Sequence, residues 1–144
     1  MNSERRVPSR AWAWLGLEVV ATGDGTATVK MTPTEDMANL AGYVHGGMIS
    51  ALADSAMARS VHTLRRRSVE RVISFDLKLN FISAARIGET LSAEGRVIHS
   101  GRRTVVTGCR IEDSAGRLVA TATGTFAVKK GDEQSDMTES PDAD

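Results

Sequence analysis

Residues 39–60 read NLAGYVHGGMISALADSAMARS and contain the pattern of one long helix. Apolar and small side chains recur there every three or four residues, which places them along one flank of a helix that can bury against a sheet. The residues on this flank are Ile49, Leu52, Ala53, Ala56 and Met57. We therefore predict a helix over residues 45–66 with one buried side.

Strand patterns lie on both sides of this helix. Before it, GLEVVAT and TATVKMT flank Gly23-Asp24-Gly25, a combination typical of a β-hairpin. After it, RVISFDLKLNFIS alternates, with the apolar positions 73, 75, 77, 79 and 81 on one face. Three Val- and Thr-rich segments joined by tight turns then predict an antiparallel meander. The predicted fold class is α+β, with one long central helix wrapped by a curved antiparallel β-sheet.

Length and composition limit the functional classes to which this protein can belong. The 18 basic and 18 acidic residues leave no net charge to attract nucleic acid or an anionic membrane. No apolar run could span a bilayer, no signal-peptide core precedes the domain, and the one cysteine, Cys109, fits a reducing compartment, so we expect a cytoplasmic protein. We expect an N-terminal segment over residues 1–14, one domain over 15–130, and a disordered acidic tail over 131–144.

The start of the predicted helix has the features of an anion-binding site. Gly46 and Gly47 stand where the first backbone N–H groups of a helix have no intrahelical partner, and they leave those groups accessible. Such N–H groups can stabilise an oxygen that gains negative charge during a reaction. The alternative is that both glycines only permit a tight turn into the helix or close packing.

A carboxylate, Asp54, lies on a stripe of very small residues formed with Gly47, Ala51 and Ala58. This stripe lets a ligand or another backbone approach closely, although a surface or packing Asp is the alternative. Eight residues separate Gly46 from Asp54, which is roughly 12 Å along a helix. One carbonyl cannot reach both groups of the same helix. Either the two serve different purposes, or two chains pair in a homodimer and complete each other's site.

Other chemistries have less support in the sequence. The three histidines have no recognisable metal-binding spacing, and no G-x-S-x-G motif is present, so we expect neither a metal nor a serine hydrolase. His45 could act as a general base, or it could be structural at the helix start. Arginines 65–67 and 102–103 could neutralise the helix end and a turn, or bind phosphates.

The spaced helix motif is similar to that of a known family, the hotdog-fold acyl-CoA thioesterases of the phenylacetic-acid-degradation (PaaI) type. The segments ISFDLKLNFISAARIGETL and GRLVATATGTFAV resemble later strands of this family, and the similarity covers roughly residues 15–129. The motif residues are Asn39, Gly42, His45, Gly46, Gly47, Leu52 and Asp54.

The resemblance implies dimers with continuous sheets, commonly assembled into tetramers, that hydrolyse acyl-CoA without a cofactor. It further implies that the Gly46 amide and the Asn39 side chain polarise the thioester carbonyl. Asp54 of the partner subunit would act as nucleophile or as the base that activates water, and Ser74 would help to place that water. A Thr found four residues after the acid in some relatives is absent, because position 58 is Ala.

The substrate contacts and two alternative functions remain predictions at this point. We expect acyl-CoA to contact His45, Gly47, Met48, Met57 and Phe81, with Arg102 and Arg103 as candidates for the CoA phosphates. The acyl group could be aromatic or aliphatic. The alternatives are an enoyl-thioester hydratase or dehydratase, which would need His45 as its histidine, and a non-catalytic acyl-CoA-binding module.

Overall fold

The computed structural model describes residues 9–129, so the N-terminal residues 1–8 and the predicted acidic tail lie outside the described residues. The described chain forms two α-helices, one 3₁₀ turn and six strands. In order they are α1 (Arg10–Leu15), β1 (Glu18–Gly23), β2 (Thr26–Met31), the 3₁₀ turn (Glu35–Met37), α2 (Gly46–His62), β3 (Arg71–Phe81), β4 (Leu91–Ser100), β5 (Thr104–Glu112) and β6 (Leu118–Lys129).

All six strands belong to one open antiparallel sheet with the order β1-β2-β4-β5-β6-β3. The predicted meander is confirmed, because β4, β5 and β6 are neighbours in both chain and sheet. The long helix α2 packs against the sheet, so the predicted α+β class with one long helix and an antiparallel sheet is also confirmed. β1 and β3 form the two edges of the sheet among the described residues.

The buried flank of α2 is the one that the sequence predicted. Ile49, Leu52, Ala53, Ala56 and Met57 are all buried in the core cluster against the sheet. The closest approach is at Gly95 of β4. A Cβ atom there would stand 2.8 Å from the backbone nitrogen of Met57 and closer still to the carbonyl of Ala56. Helix and sheet backbones therefore touch at this point, which only glycine permits.

The helix ends at His62, four residues before the predicted end at 66, and that part of the prediction is wrong. The predicted β1–β2 hairpin is present, and its turn bonds to the chain that follows the helix. The Asp24 side chain accepts from the Arg65 backbone N–H at 2.9 Å, and the Gly25 N–H donates to the Thr63 hydroxyl at 2.9 Å. The Arg65 N–H thus bonds Asp24 in place of a helical carbonyl, so the helix does not continue.

The alternation predicted along β3 is interrupted by a bulge. Ser74 pairs with Phe126 and Asp76 pairs with Thr125, so Phe75 is an extra residue in the ladder. A bulge shifts the face of every residue beyond it. The predicted unbroken alternation from 73 to 81 is therefore wrong at Phe75, and the sequence pattern alone did not reveal the insertion.

The contact at Gly95 leads to a stability prediction. We expect Gly95→Ala to lower the free energy of unfolding by about 1–3 kcal/mol, because the new methyl group overlaps rigid helix backbone. The measurement is urea unfolding of both proteins. Gly108→Ala on the adjacent strand is the control, since its Cβ would make one tight contact, with the Cδ1 atom of the exposed Ile98 at 3.2 Å, and its nearest backbone contact would be an ordinary 3.8 Å. Equal losses for the two variants would contradict a helix–sheet contact specific to Gly95.

Candidate active site at the start of the long helix

The N-terminus of α2 has one backbone donor without a partner. The His45 side chain caps the helix by accepting from the Gly47 N–H through Nδ1 at 2.8 Å. The N–H groups of Met48 and Ile49 both donate to the His45 carbonyl. Within residues 9–129, the Gly46 N–H has no hydrogen-bond partner. This donor, at the positive end of the helix dipole, is available to an oxygen of a ligand.

The two glycines of the motif are required for different physical reasons. A Cβ atom at Gly47 would stand 2.9 Å from His45 Nδ1, so the second glycine makes room for the cap. A Cβ atom at Gly46 would stand 3.3 Å from the Phe81 ring, so the first glycine lets that ring approach the free N–H. The cap therefore uses Nδ1 of the imidazole as its acceptor and leaves Nε2 as the other ring nitrogen.

The Asn39 side chain is oriented by the loop that precedes the helix. Its Oδ1 atom accepts from the backbone N–H groups of Ala41 and Tyr43, at 3.0 and 3.1 Å. Gly42 completes this tight loop with a φ of +84°, which favours glycine. Since both bonds use the amide oxygen, the amide NH₂ of Asn39 remains as a donor on the side chain.

A cavity of about 310 Å³ joins these two donors to an apolar wall. Tyr43 and Phe81 supply its aromatic surface, and no lining residue carries a charge at neutral pH. The cavity therefore suits a neutral, largely apolar group next to an oxygen that the donors bind. Its lining residues are Asn39, Tyr43, Val44, Gly46, Ile49, Phe81, Ile82, Ser83, Ala84 and Ala85.

Asp54 lies two turns further along α2 and does not line this cavity. The residue is half-buried, and its Oδ1 atom is buried without a hydrogen-bond partner among the described residues. Burial raises the pKa of the Asp54 carboxyl above its usual value, and a side-chain hydrogen bond from Ser74 lowers it by less. One chain thus brings Asn39 and Gly46 together, and Asp54 and Ser74 together, as two separate groups.

The remaining predicted contact residues lie in three different places. Met48 is half-buried on α2 and packs on the core, whereas Met57 is fully buried in the core and does not line the cavity. Arg102 and Arg103 are exposed in the β4–β5 turn. The Arg67 guanidinium donates to the Arg102 carbonyl at 3.0 Å and so brings the arginines after α2 to this turn.

Several cavity residues had not been predicted from the sequence. Val44, Ile49, Ala84 and Ala85 line the cavity, and three of these four belong to irregular segments where no periodicity predicts which way a side chain points. Cys109 is buried in β5, where burial raises the pKa of its thiol to about 12. Residues 9–129 contain no cluster of three potential metal ligands, and no helix among them is long and apolar enough to cross a membrane.

Because burial disfavours the ionised form of the Asp54 carboxyl, we make a second prediction. We expect Asp54→Asn to raise the melting temperature at pH 7, because an amide does not carry the charge that burial disfavours. The pKa of Asp54 is higher in the folded than in the unfolded state, so ionisation removes stability as the pH rises through the folded pKa. The gain should therefore shrink as the pH is lowered from 7 towards 4, because the raised pKa lets the folded carboxyl take up its proton before the unfolded one does.

The control for this measurement is Asp113, a carboxyl whose pKa is lowered in the folded protein. Backbone hydrogen bonding by Arg117 is the main cause that lowers the pKa of Asp113, so its ionisation stabilises the fold above the unfolded pKa. Asp113→Asn should accordingly lower the melting temperature at pH 7. A gain for Asp54→Asn that is equal at pH 7 and pH 4 would contradict the ionisation argument.

The fold and the site can be compared with known proteins. Residues 41–120 match the family model of the thioesterase superfamily. The acyl-coenzyme A thioesterase PaaI of Escherichia coli K12 is 31% identical over 106 residues, which cover 74% of this chain and 73% of that protein. The solved structure of E. coli PaaI has a TM-score of 0.78 at 27% identity and covers 84% of this chain and 85% of that one.

A second solved structure contains coenzyme A, which is one part of the expected substrate. A hypothetical thioesterase from Streptococcus pneumoniae TIGR4, solved with coenzyme A, has a TM-score of 0.73 at 26% identity. It covers 79% of this chain and 86% of that chain. The chain therefore belongs to the thioesterase superfamily, and its antiparallel sheet around one long helix is the hotdog fold of the PaaI-type acyl-CoA thioesterases.

Proposed function

We propose that this enzyme hydrolyses an acyl-CoA thioester to the free acid and CoA, at a site that two subunits share. The observation that carries the proposal is that the Gly46 N–H has no hydrogen-bond partner within residues 9–129 and that Gly46 and Asn39 line the same cavity. Both groups donate to the thioester oxygen and stabilise the negative charge that develops there. One preorganised donor of this kind is typically worth about a hundred- to a thousandfold in turnover.

Asp54 of the partner subunit supplies the carboxylate that attacks the thioester or activates water. Within one chain, Asp54 does not line the cavity, and the helix geometry separates it from Gly46 by roughly 12 Å. An antiparallel pair of α2 helices removes this separation. The carboxylate then either accepts a proton from water that attacks the carbonyl carbon, or attacks the carbon itself to form an anhydride that water hydrolyses. The CoA thiolate leaves in either case, and Ser74 orients the carboxylate or the water.

The exposed edge strand β3 is the proposed contact between the two subunits. Among the strands of residues 9–129, β3 pairs with β6 alone and exposes four large apolar side chains, a combination that ordinarily promotes association through an open sheet edge. Pairing of two β3 edges continues the sheet across the dimer and brings the two α2 helices side by side. The exposed side chains are Ile73, Phe75, Leu77 and Phe81, with exposures of 50%, 62%, 38% and 57%.

Two further features support thioester hydrolysis over the alternatives. A hydratase would need His45 as an acid or base, but Nδ1 of this histidine is occupied by the Gly47 N–H. A module that only binds acyl-CoA has no need for a half-buried carboxylate with a raised pKa, which costs stability. Arg102 and Arg103, which are exposed, remain our candidates for the CoA phosphates.

Removal of the Gly46 N–H by substitution tests the oxyanion proposal directly. Gly46 is the first helical residue, where proline is tolerated, and His45 at φ −60° and ψ 134° has the backbone that precedes proline. We expect Gly46→Pro to reduce turnover of acyl-CoA about a hundred- to a thousandfold, measured as free thiol released. Gly46→Ala keeps the N–H and is the matched control, so it should retain most of the turnover. Equal losses in both variants would point to steric damage instead.

Mixed dimers test whether the site is shared. Asp54→Asn and Gly46→Pro should each be nearly inactive, but a dimer with one subunit of each type contains one site with neither substitution. Co-expression at equal levels should therefore restore about a quarter of the wild-type activity, since half of the dimers are mixed and each has one intact site. In the mixed dimer isolated through two different tags, one of the two sites is intact, so this fraction should show about half of the wild-type activity. No recovery in that fraction would place all catalytic groups within one chain.

A further inference from the structure

One wall of the cavity consists of an irregular segment, residues 82–85, which follows β3. Its beginning is held by backbone bonds, because the N–H groups of Ile82 and Ser83 both donate to the Val119 carbonyl. Its end is held by the Ala85 carbonyl, which accepts from the Val44 N–H at 2.9 Å. Between these points lies Ala84, which lines the cavity and makes no backbone hydrogen bond within the described residues.

The middle of this wall is held by a side chain from another part of the fold. Arg117, in the turn between β5 and β6, donates from Nη2 to the Ala84 carbonyl at 2.8 Å. This bond gives the Ala84 carbonyl a fixed partner in the guanidinium group. Without this bond the Ala84 carbonyl would have no hydrogen-bond partner among the described residues, so the wall would be held only at Ser83 and Ala85 on either side of it.

The guanidinium group is itself fixed in position. The Asp113 carboxylate, which is only 8% exposed, accepts from Arg117 Nε at 3.0 Å and from the Arg117 backbone N–H at 2.9 Å. It also accepts from the Ala115 N–H at 3.0 Å. The turn is closed by Gly116, whose φ of +81° favours glycine. Because Asp113 holds Nε, the planar guanidinium group keeps its Nη2 atom in one position.

We propose that Arg117 is a positioning residue that sets the acyl-group selectivity of the enzyme by fixing the cavity wall at Ala84. This inference rests on the proposed thioesterase function and adds to it. Arg117 does not line the cavity and has no part in polarising the thioester. A small acyl group next to Gly46 does not reach the wall, whereas a larger one must fill the space that Ala84 bounds. The residue therefore acts on binding of large acyl groups and not on the chemical step.

The test compares acyl groups of different size. For Arg117→Met, the KM for benzoyl-CoA or octanoyl-CoA should rise about fivefold, while kcat for these substrates and both constants for acetyl-CoA change less than about twofold. Arg117→Lys keeps the charge but cannot bond both Asp113 and Ala84 in the same fork geometry, so it should show the same defect. Arg110→Met is the matched control, because it removes an exposed arginine paired with Glu112 and away from the cavity. An equal effect on all acyl groups would overturn the proposal.

A second measurement does not depend on turnover. Amide hydrogen exchange of the Arg117→Met protein should be faster at Ser83 and Val44, whose N–H groups flank Ala84 in the hydrogen-bond pattern, and unchanged along α2. No change at these two amides would show that Arg117 does not hold the wall. If the unsubstituted protein released no thiol from any acyl-CoA, the proposed function would fail, while the exchange result would still decide what Arg117 does to the wall.

Discussion

The contact between the backbones of α2 and β4 at Gly95 is the constraint on which the rest of the structure depends. A helix usually keeps its distance from a sheet through side chains on both, but here Ala53 and Ala56 on the helix and Gly95 on the strand remove that spacer. The axis of α2 is thereby fixed close against the sheet. Its N-terminus, with the capped Gly47 and the free Gly46, can then lie next to the loop that presents Asn39.

The same helix bears two features that would cost stability in a purely structural element. One is a backbone donor without a partner at Gly46, and the other is a half-buried carboxylate, Asp54, whose pKa is raised by burial. Each is useful to a hydrolase, because developing negative charge is stabilised by the first and a poorly solvated carboxylate is a more reactive base or nucleophile. Their separation along one rigid helix is the physical reason to propose that two subunits cooperate.

Binding of the acyl group and chemistry at the carbonyl are assigned to different parts of the fold. The proposed polarising groups belong to the helix start and its preceding loop, which hydrogen bonds hold through His45 and Asn39. Another wall of the cavity belongs to residues 82–85, where Arg117 of the β5–β6 turn bonds the Ala84 carbonyl. One backbone bond, from the Val44 N–H to the Ala85 carbonyl, joins the two regions, whereas Arg117 bonds the wall at Ala84 and not the helix start.

The sequence by itself determined the fold class, the buried flank of α2, the hairpin at Asp24 and the family, because each of these follows from local periodicity, turn chemistry or a spaced motif. It also indicated that Gly46 and Asp54 of one helix are too far apart to act on one carbonyl. Only the tertiary structure decided where α2 ends, since the bond from Arg65 to Asp24 joins segments 41 residues apart in the chain. The bulge at Phe75 and the wall held by Arg117 likewise depend on partners from distant strands and turns, and no local pattern encodes such contacts.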